Sequence, residues 1–160
     1  MHSLEAITKV EDRYSGPKGQ PSLGEAFDML QARWASGARD RETCLRLAFL
    51  AWYSCAEPNG YTGLPQDQEL TSAIFSDALA ALGGEQSNDP EVCYTLGLMA
   101  KIFPWAICAK NEAHWRHVGE SLTMRAEELA PQGLTSSEFA SRGAYGGYFS
   151  HQSKNLEAGS

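Results

Sequence analysis

The chain has 160 residues, of which 42% are hydrophobic, and a formal net charge of -7 at pH 7. This length and composition predict one globular domain and exclude an intrinsically disordered chain. No apolar run approaches the roughly 18 residues that cross a bilayer, so we expect no membrane-spanning helix. Because the segment after Met1 has no long apolar stretch either, we expect no signal peptide and a cytoplasmic protein.

The N-terminal part of the chain predicts two helices separated by a loop. Ser3 is suited to cap a helix that runs to about Tyr14. Two Pro and two Gly within residues 15–21 then indicate a loop. Ser22, followed three residues later by Glu25, has the spacing of a capping box and predicts the start of the second helix.

The third predicted helix, about residues 40–56, is the most apolar one. Asp40 can cap its start, and Pro58 ends it because the residue before a proline disfavours helical backbone. Its apolar positions cover most of the circumference, which is typical of a helix that packs on several sides. These positions are Cys44, Leu47, Ala48, Leu50, Ala51, Trp52 and Cys55.

The remaining chain continues as helices up to about residue 142. Apolar spacing predicts a helix over 66–82, and Asp89 before Pro90 is a strong helix start. Further helices are predicted from Asn111 to about residue 130 and, briefly, from the capping box that begins at Thr135. We therefore predict an all-α single-domain bundle of six or seven helices around the helix at 40–56.

The C-terminal segment has a different composition. Three glycines within residues 143–149 disfavour a stable helix. The last eight residues are predicted to be a disordered tail. The expected domain boundaries are therefore 1–152 for the helical domain and 153–160 for the tail.

The charge is distributed very unevenly. No Lys or Arg occurs between Arg46 and Lys101, whereas seven acidic residues do. This pattern predicts attraction to a basic protein surface and repulsion of nucleic acid phosphates, although an acidic surface is also a common device for solubility. Asp89 is also suited to capping its helix. The candidate partner-binding residues are Glu57, Asp67, Glu69, Asp77, Glu85, Asp89 and Glu91.

Metal and cofactor chemistry receive little support from the sequence. His114 and His117 are spaced to share a helix face, but the ligand pattern of known metal-binding helices is missing, so we predict no metal and no cofactor. The four cysteines form no Cys-x-x-Cys pair and lie in apolar helical patterns, which is typical of reduced thiols. They are Cys44, Cys55, Cys93 and Cys108.

Glu57 closes the apolar helix and precedes a loop rich in Asn, Gly and Thr. Its carboxylate can pin this loop through Thr62 or pair with a distant cation such as Arg142. A catalytic role would need a second acid or base, and none accompanies it in sequence. We therefore predict no catalytic residue and no enzymatic activity, and keep a ligand-binding or enzymatic site near Glu57 and Tyr61 as an alternative.

Residues 40–64, Phe103-Pro104-Trp105 and the segment 142–145 resemble small helical immunity proteins of contact-dependent inhibition and related polymorphic toxin systems. The shared character is an acidic helical chain with a Trp-Tyr helix that ends in Glu-Pro and a Thr-Gly turn, and it covers roughly half of the chain. The resemblance implies a bacterial cytoplasmic protein that binds and neutralises a cognate toxin. A helical adaptor is a further alternative. An acidic inhibitor is suited to cover the cationic groove of a toxin that cleaves nucleic acid.

Overall fold

The computed structural model describes residues 1–14 and 19–159, and all regular structure in these residues is helical. This confirms the predicted all-α single-domain fold. Two of the α-helices, α4 and α7, are single turns, which leaves seven longer helices against the six or seven predicted. The helices of the described residues are α1 (Leu4–Glu11), α2 (Leu23–Ala35), α3 (Arg41–Ala56), α4 (Asn59–Thr62), α5 (Gln68–Ala81), α6 (Pro90–Ile102), α7 (Pro104–Ile107), α8 (Glu112–Leu129) and α9 (Gly143–Gly159). Short 3₁₀ turns at Gly84–Gln86, Ala109–Asn111 and Ser136–Phe139 complete the connections.

Helix α3 is the centre of the bundle, as predicted. Every residue from Thr43 to Trp52 is buried, and α2, α5, α6, α7 and α9 all pack against this helix. Asp40 caps its start by accepting a hydrogen bond from the Thr43 N–H at 3.1 Å. The helix ends at Ala56, two residues before Pro58, because a residue preceding proline favours extended backbone.

The loop after α3 contains one helical turn, α4, where only a loop was expected. Asn59 pins this segment, because its side-chain amide donates to the carbonyl oxygens of Ser54 at 3.0 Å and Leu64 at 2.9 Å. The Glu57 carboxylate was expected to pin this loop. The neutral side-chain amide of Asn59 performs this role instead, and Asn59 lies five residues from both Ser54 and Leu64.

The predicted capping box at Ser22 is wrong. The Ser22 side chain makes no capping hydrogen bond, and Glu25 instead pairs with Arg13, with 2.7 Å between Nη2 and Oε2. Ser3 does cap α1, accepting the Ala6 N–H at 3.0 Å. Residues 15–18 of the predicted loop lie outside the described residues.

The prediction for the C-terminal segment is also wrong, because α9 is helical from Gly143 through the glycines and on to Gly159. Tyr145, Phe149 and Ser153 recur at four-residue spacing, and all three are buried. Burial of this face outweighs the low helix propensity of glycine, since tertiary packing contributes most of the stability of helices in proteins. The segment 153–159, predicted as a disordered tail, is thus part of α9, and Ser160 lies outside the described residues.

None of the described helices combines the length and the apolar composition that a membrane span requires.

Candidate functional site: an acidic helix face and a tyrosine cavity

Four of the seven predicted partner-binding acids lie on α5 or beside its ends. All four are exposed, and none forms an ion pair with another described residue. The four residues are Asp67, Glu69, Asp77 and Glu85. The Asp67 carboxylate caps α5 by accepting the Leu70 N–H at 3.1 Å, which still leaves its negative charge in solvent.

The solvent-facing side of α5 combines these acids with small apolar side chains. Its inner side is buried through Thr71, Phe75, Ala78 and Leu79. The exposed side carries no Lys and no Arg. Its exposed residues are Glu69, Leu70, Ala73, Asp77, Ala80 and Ala81. We call this set, with Asp67 and Glu85 at its ends, the α5 face.

Glu57 lies close to the N-terminal end of the α5 face. It is half-buried and lines a cavity of about 540 Å³ together with Gln66, Gln68 and Trp105. Gln68 joins α5 to α7, because its Nε2 donates to the Trp105 carbonyl oxygen at 2.9 Å. The Trp105 side chain is 40% exposed at this edge. Tyr61, the other residue of the alternative ligand site, is exposed on α4 and does not line this cavity.

The remaining two acids, Asp89 and Glu91, are bound by other residues of the chain, although Asp89 is partly exposed. Asp89 caps α6 by accepting the Glu91 N–H at 3.0 Å, and it also accepts a hydrogen bond from Arg41 at 2.5 Å. The hydrogen bond from Arg41 lowers the pKa of Asp89. Glu91 is buried and bound by Arg142 and Tyr145. Both carboxylates are therefore committed to intramolecular partners.

Arg142 is the centre of this internal network. It makes bidentate contacts with Glu42, at 3.1 and 2.8 Å, and with Glu91, at 2.9 and 2.7 Å. The predicted pairing of Arg142 with Glu57 is therefore wrong. Burial raises the pKa of Glu42, but hydrogen bonds from Arg142 and Arg46 outweigh this effect, and the pKa lies below its ordinary value. Bidentate geometry makes these pairs strong and directional.

Glu11 has only one cation nearby, and this cation is shared with another acid. Its carboxylate is fully buried, and the closest cation, Arg46, lies 3.4 Å from Oε2 and also binds Glu42 at 3.0 Å. The Ala144 backbone N–H, in the first turn of α9, is close enough to oppose the rise in the pKa of this carboxyl. Oε1 has no hydrogen-bond partner among the described residues. Burial outweighs the attraction of Arg46 and raises the pKa of Glu11 to about 7.

The sequence interpretation did not single out Glu11. One signal was available, because Glu11 lies four residues after Ile7 and therefore shares the apolar face of α1. A carboxylate on the inward face of an amphipathic helix indicates a buried charge that needs a partner.

We predict that Glu11 makes the protein less stable as the pH rises through neutrality. Its pKa is about 4.5 in the unfolded chain and about 7 in the folded one, so between these values the folded state binds more protons. The Glu11 contribution is therefore fully present below pH 4.5 and is lost as the pH rises to 7, by up to about 3 kcal/mol. Glu11→Gln, whose amide does not titrate, should lose this dependence. Denaturant unfolding of both proteins between pH 4.5 and 8 measures the difference, and parallel stability curves would contradict the prediction.

Glu11 also lines a second cavity, of about 390 Å³, between α1, α3 and α9. Four of its described lining residues are aromatic, and the first turn of α9 closes one side. The aromatic residues are Tyr14, Phe49, Tyr53 and Tyr148. The hydroxyl oxygens of Tyr14 and Tyr53 are 3.2 Å apart and share a hydrogen bond. Burial, together with this hydrogen bond, raises the pKa of Tyr53, so the phenol stays neutral. We call this the tyrosine cavity.

The remaining candidate groups from the sequence are the two histidines of α8 and the four cysteines. His114 and His117 are exposed on α8, and the described residues contain no group of three His, Cys, Asp or Glu side chains placed to hold a metal ion. All four cysteines are free thiols. Burial raises the pKa of Cys44 and of Cys93, which makes these two poor nucleophiles at neutral pH.

Comparisons with protein-family models, curated proteins and solved structures find no match for this chain. Two features of the described residues therefore carry the functional interpretation. One is the α5 face, where acidic side chains have no internal partner. The other is the tyrosine cavity, next to which the fully buried Glu11 side chain has an oxygen, Oε1, without a hydrogen-bond partner among the described residues.

Proposed function

We propose that this protein is a cytoplasmic immunity protein, without catalytic activity, that binds and neutralises a basic toxin that cleaves nucleic acid. The observation that carries the proposal is the α5 face. Together with Glu57 it presents five carboxylates that no described residue neutralises by an ion pair. The resemblance of the Trp-Tyr helix and of Phe103-Pro104-Trp105 to immunity proteins gives it further support.

The separation of the acids into two groups supports a docking role for the exposed group. Asp89 and Glu91 contribute to the fold through Arg41 and Arg142. The acids of the α5 face form no such pairs, so their charge is available to an external partner. A toxin that cleaves nucleic acid needs a cationic surface for phosphates, and an acidic inhibitor competes for that surface and accelerates its own association by electrostatic steering.

The α5 face also offers contacts that are not electrostatic. Leu70 and Trp105 are 38% and 40% exposed at one end of the helix. Exposed Trp side chains are frequent energetic centres of protein interfaces. Ala73 and Ala80 are exposed between the acids and allow the backbone of a partner to approach closely. The expected interface therefore has an apolar centre near Trp105 and an acidic rim.

Charge reversal on α5 tests this docking surface. The partner is a catalytically inactivated toxin domain encoded by the gene immediately beside this one. We expect Glu69→Lys with Asp77→Lys to slow association by about tenfold or more at low ionic strength, because steering depends on the net field of the face. Stopped-flow association rates over a range of salt concentrations measure this effect, and the variant should also show a weaker dependence on salt.

The matched control is Glu120→Lys with Glu128→Lys. Both residues are exposed on α8, and the change in net charge is the same. If the two double variants associate equally fast, the α5 face is not the docking site. If the unmodified protein neither binds the toxin nor rescues cells that express the active toxin, the proposed function itself is wrong.

A further inference from the structure

We propose that the cavity at the C-terminal end of α3 binds the guanidinium group of an arginine side chain from a basic partner protein. The cavity has a volume of about 540 Å³ and is lined by the last turn of α3, by Glu57 and by Trp105; we call it the α3-end cavity. The inference rests on the proposed function for the kind of partner, but its test uses a small arginine derivative and requires no toxin. Three observations support it: the accessible carboxylate of Glu57, the free end of α3, and the fixed walls of the cavity.

Glu57 brings to the α3-end cavity a negative charge that a ligand can reach. It is half-buried, and its side chain forms neither an ion pair nor a hydrogen bond with the described residues. Its oxygens are also absent from the buried polar atoms that lack a partner in this part of the chain, in contrast to Oε1 of Glu11. The carboxylate is therefore open to solvent and available to a cation, and a guanidinium group can bind both of its oxygens at once.

The end of α3 adds a second source of negative potential. The carbonyl groups at the C-terminal end of a helix carry partial negative charge and favour cations, and the last turn of this 16-residue helix contains no basic residue. The carbonyls of Cys55 and Ala56 have no intrahelical partner, because the backbone is extended at Glu57 and Pro58 has no N–H. A guanidinium group has five N–H donors and can therefore bind a carboxylate and carbonyl oxygens together.

The walls of the α3-end cavity are held in place without a ligand. Gln68 spans one wall, because its Nε2 donates to the Trp105 carbonyl oxygen and its Oε1 accepts the Ala109 N–H, both at 2.9 Å. The Asn59 amide binds two backbone carbonyl oxygens on the other side, at 3.0 and 2.9 Å. Trp105 is 40% exposed, so its ring is not enclosed by neighbours and a planar guanidinium group can pack against it. Little ordering of the protein is then needed on binding, which favours affinity.

The charges around the α3-end cavity favour arginine over an anionic or neutral group. None of its described lining residues is Lys or Arg. The exposed acids Asp67 and Glu69 flank the lining residue Gln68 in sequence, whereas Lys110 is exposed and does not line the cavity. Arginine binds phosphate groups through the same planar fork that binds carboxylates. An arginine that a toxin uses for the phosphates of nucleic acid therefore has the chemistry to bind Glu57 instead.

The test is an NMR titration of the purified full chain with acetyl-arginine amide at constant ionic strength. The side-chain amide resonances of Asn59 and Gln68 report on the cavity, because both residues line it. We expect saturable shifts with the arginine derivative. Acetyl-citrulline amide, which has nearly the same shape but no charge, should bind at least about tenfold more weakly, and acetyl-lysine amide, which lacks the planar fork, at least about threefold more weakly. No saturable shift with the arginine derivative, or equal binding of all three probes, would overturn the proposal.

Two variants and one control locate the site. Glu57→Gln should weaken binding of acetyl-arginine amide by about tenfold, and it should fold normally because Glu57 has no ion pair to lose. Trp105→Ala removes a wall and should weaken binding at least about threefold. Glu120→Gln removes the same charge from an exposed position on α8 and should leave binding unchanged. The amide spectrum shows whether each variant is folded, and if Trp105→Ala is not, Glu57→Gln and the selectivity among probes decide the outcome. Unchanged binding to Glu57→Gln would refute the proposal.

This inference and the proposed function can fail separately. If the arginine derivative binds at the α3-end cavity but the toxin domain does not bind the protein, the proposed function is wrong and the arginine site stands. If the toxin domain does bind, Glu57→Gln should raise its dissociation constant at least about tenfold, because the carboxylate that receives the arginine is gone. A toxin that binds this variant as tightly as the unmodified protein would contradict the arginine site while leaving the proposed function intact.

Discussion

Replacement of Arg142 by methionine should lower the free energy of unfolding by about 4 kcal/mol, because it leaves a buried charge network without its central cation. The Arg142 side chain is only 17% exposed and contacts both carboxylate oxygens of Glu42 and of Glu91. Methionine fills similar space but cannot neutralise two carboxylates that would then repel each other. Chemical denaturation followed by circular dichroism measures the change.

Two other variants separate the charge of Arg142 from its geometry. Arg142→Lys keeps the charge but loses the planar fork that binds two carboxylates at once, so an intermediate loss of stability is expected. Arg116→Met breaks an exposed pair with Glu112, at 2.9 Å, and should change stability by no more than about 0.5 kcal/mol. Equal losses for Arg142→Met and Arg116→Met would show that the buried network has no special role.

Gly143→Ala is expected to cost about 4 kcal/mol, through two effects at the start of α9. The Gly143 backbone has φ of +68°, and this left-handed conformation costs about 1–2 kcal/mol for any residue with a Cβ atom. The added Cβ would also lie 1.9 Å from Oε2 of Glu11. Glu11 would have to move away from Arg46, and such overpacking adds about 1–3 kcal/mol. Thermal or denaturant unfolding of the variant measures the total.

Two glycines serve as matched controls for Gly143. Gly133 has φ of +76° with no atom within 4 Å of an added Cβ, so Gly133→Ala should show only the backbone cost of about 1–2 kcal/mol. Gly147 is exposed within α9 with open space around it, and Gly147→Ala should stabilise by about 0.5–1 kcal/mol because alanine favours helices. If Gly143→Ala costs no more than Gly133→Ala, the contact with Glu11 does not constrain the start of α9. A destabilising Gly147→Ala would contradict a helix at this position.

Helix boundaries with a local cause could be predicted from the sequence. Asp40 begins α3 and Asp89 with Pro90 begins α6, because each aspartate accepts N–H groups of the next few residues. Pro58 and Pro104 end the preceding helices through steric effects on their immediate neighbours. The apolar circumference of α3 also predicted its central position, since a helix without a polar side must be covered on all sides.

Elements stabilised by distant contacts could not be predicted in this way. The glycines of α9 disfavour a helix locally, yet Gly146 lies where a Cβ would be 2.3 Å from the Phe139 carbonyl oxygen, so the close packing there requires glycine. Tyr145 and Phe149 then bury one side of the helix against the core. The partner in each contact is known only once the chain is folded.

The candidate sites show the same difference between properties with a local cause and properties that depend on distant contacts. By itself the sequence determined that no cation lies between Arg46 and Lys101, and therefore that this segment is acidic. Only the tertiary structure decided which acids remain available, because Arg41 and Arg142, both outside the segment, bind Asp89 and Glu91. It likewise placed Glu11 at the start of α9 and assembled the tyrosine cavity from α1, α3 and α9. The physical reason is that charge is a property of each residue, whereas burial and pairing depend on which distant residues the fold brings together.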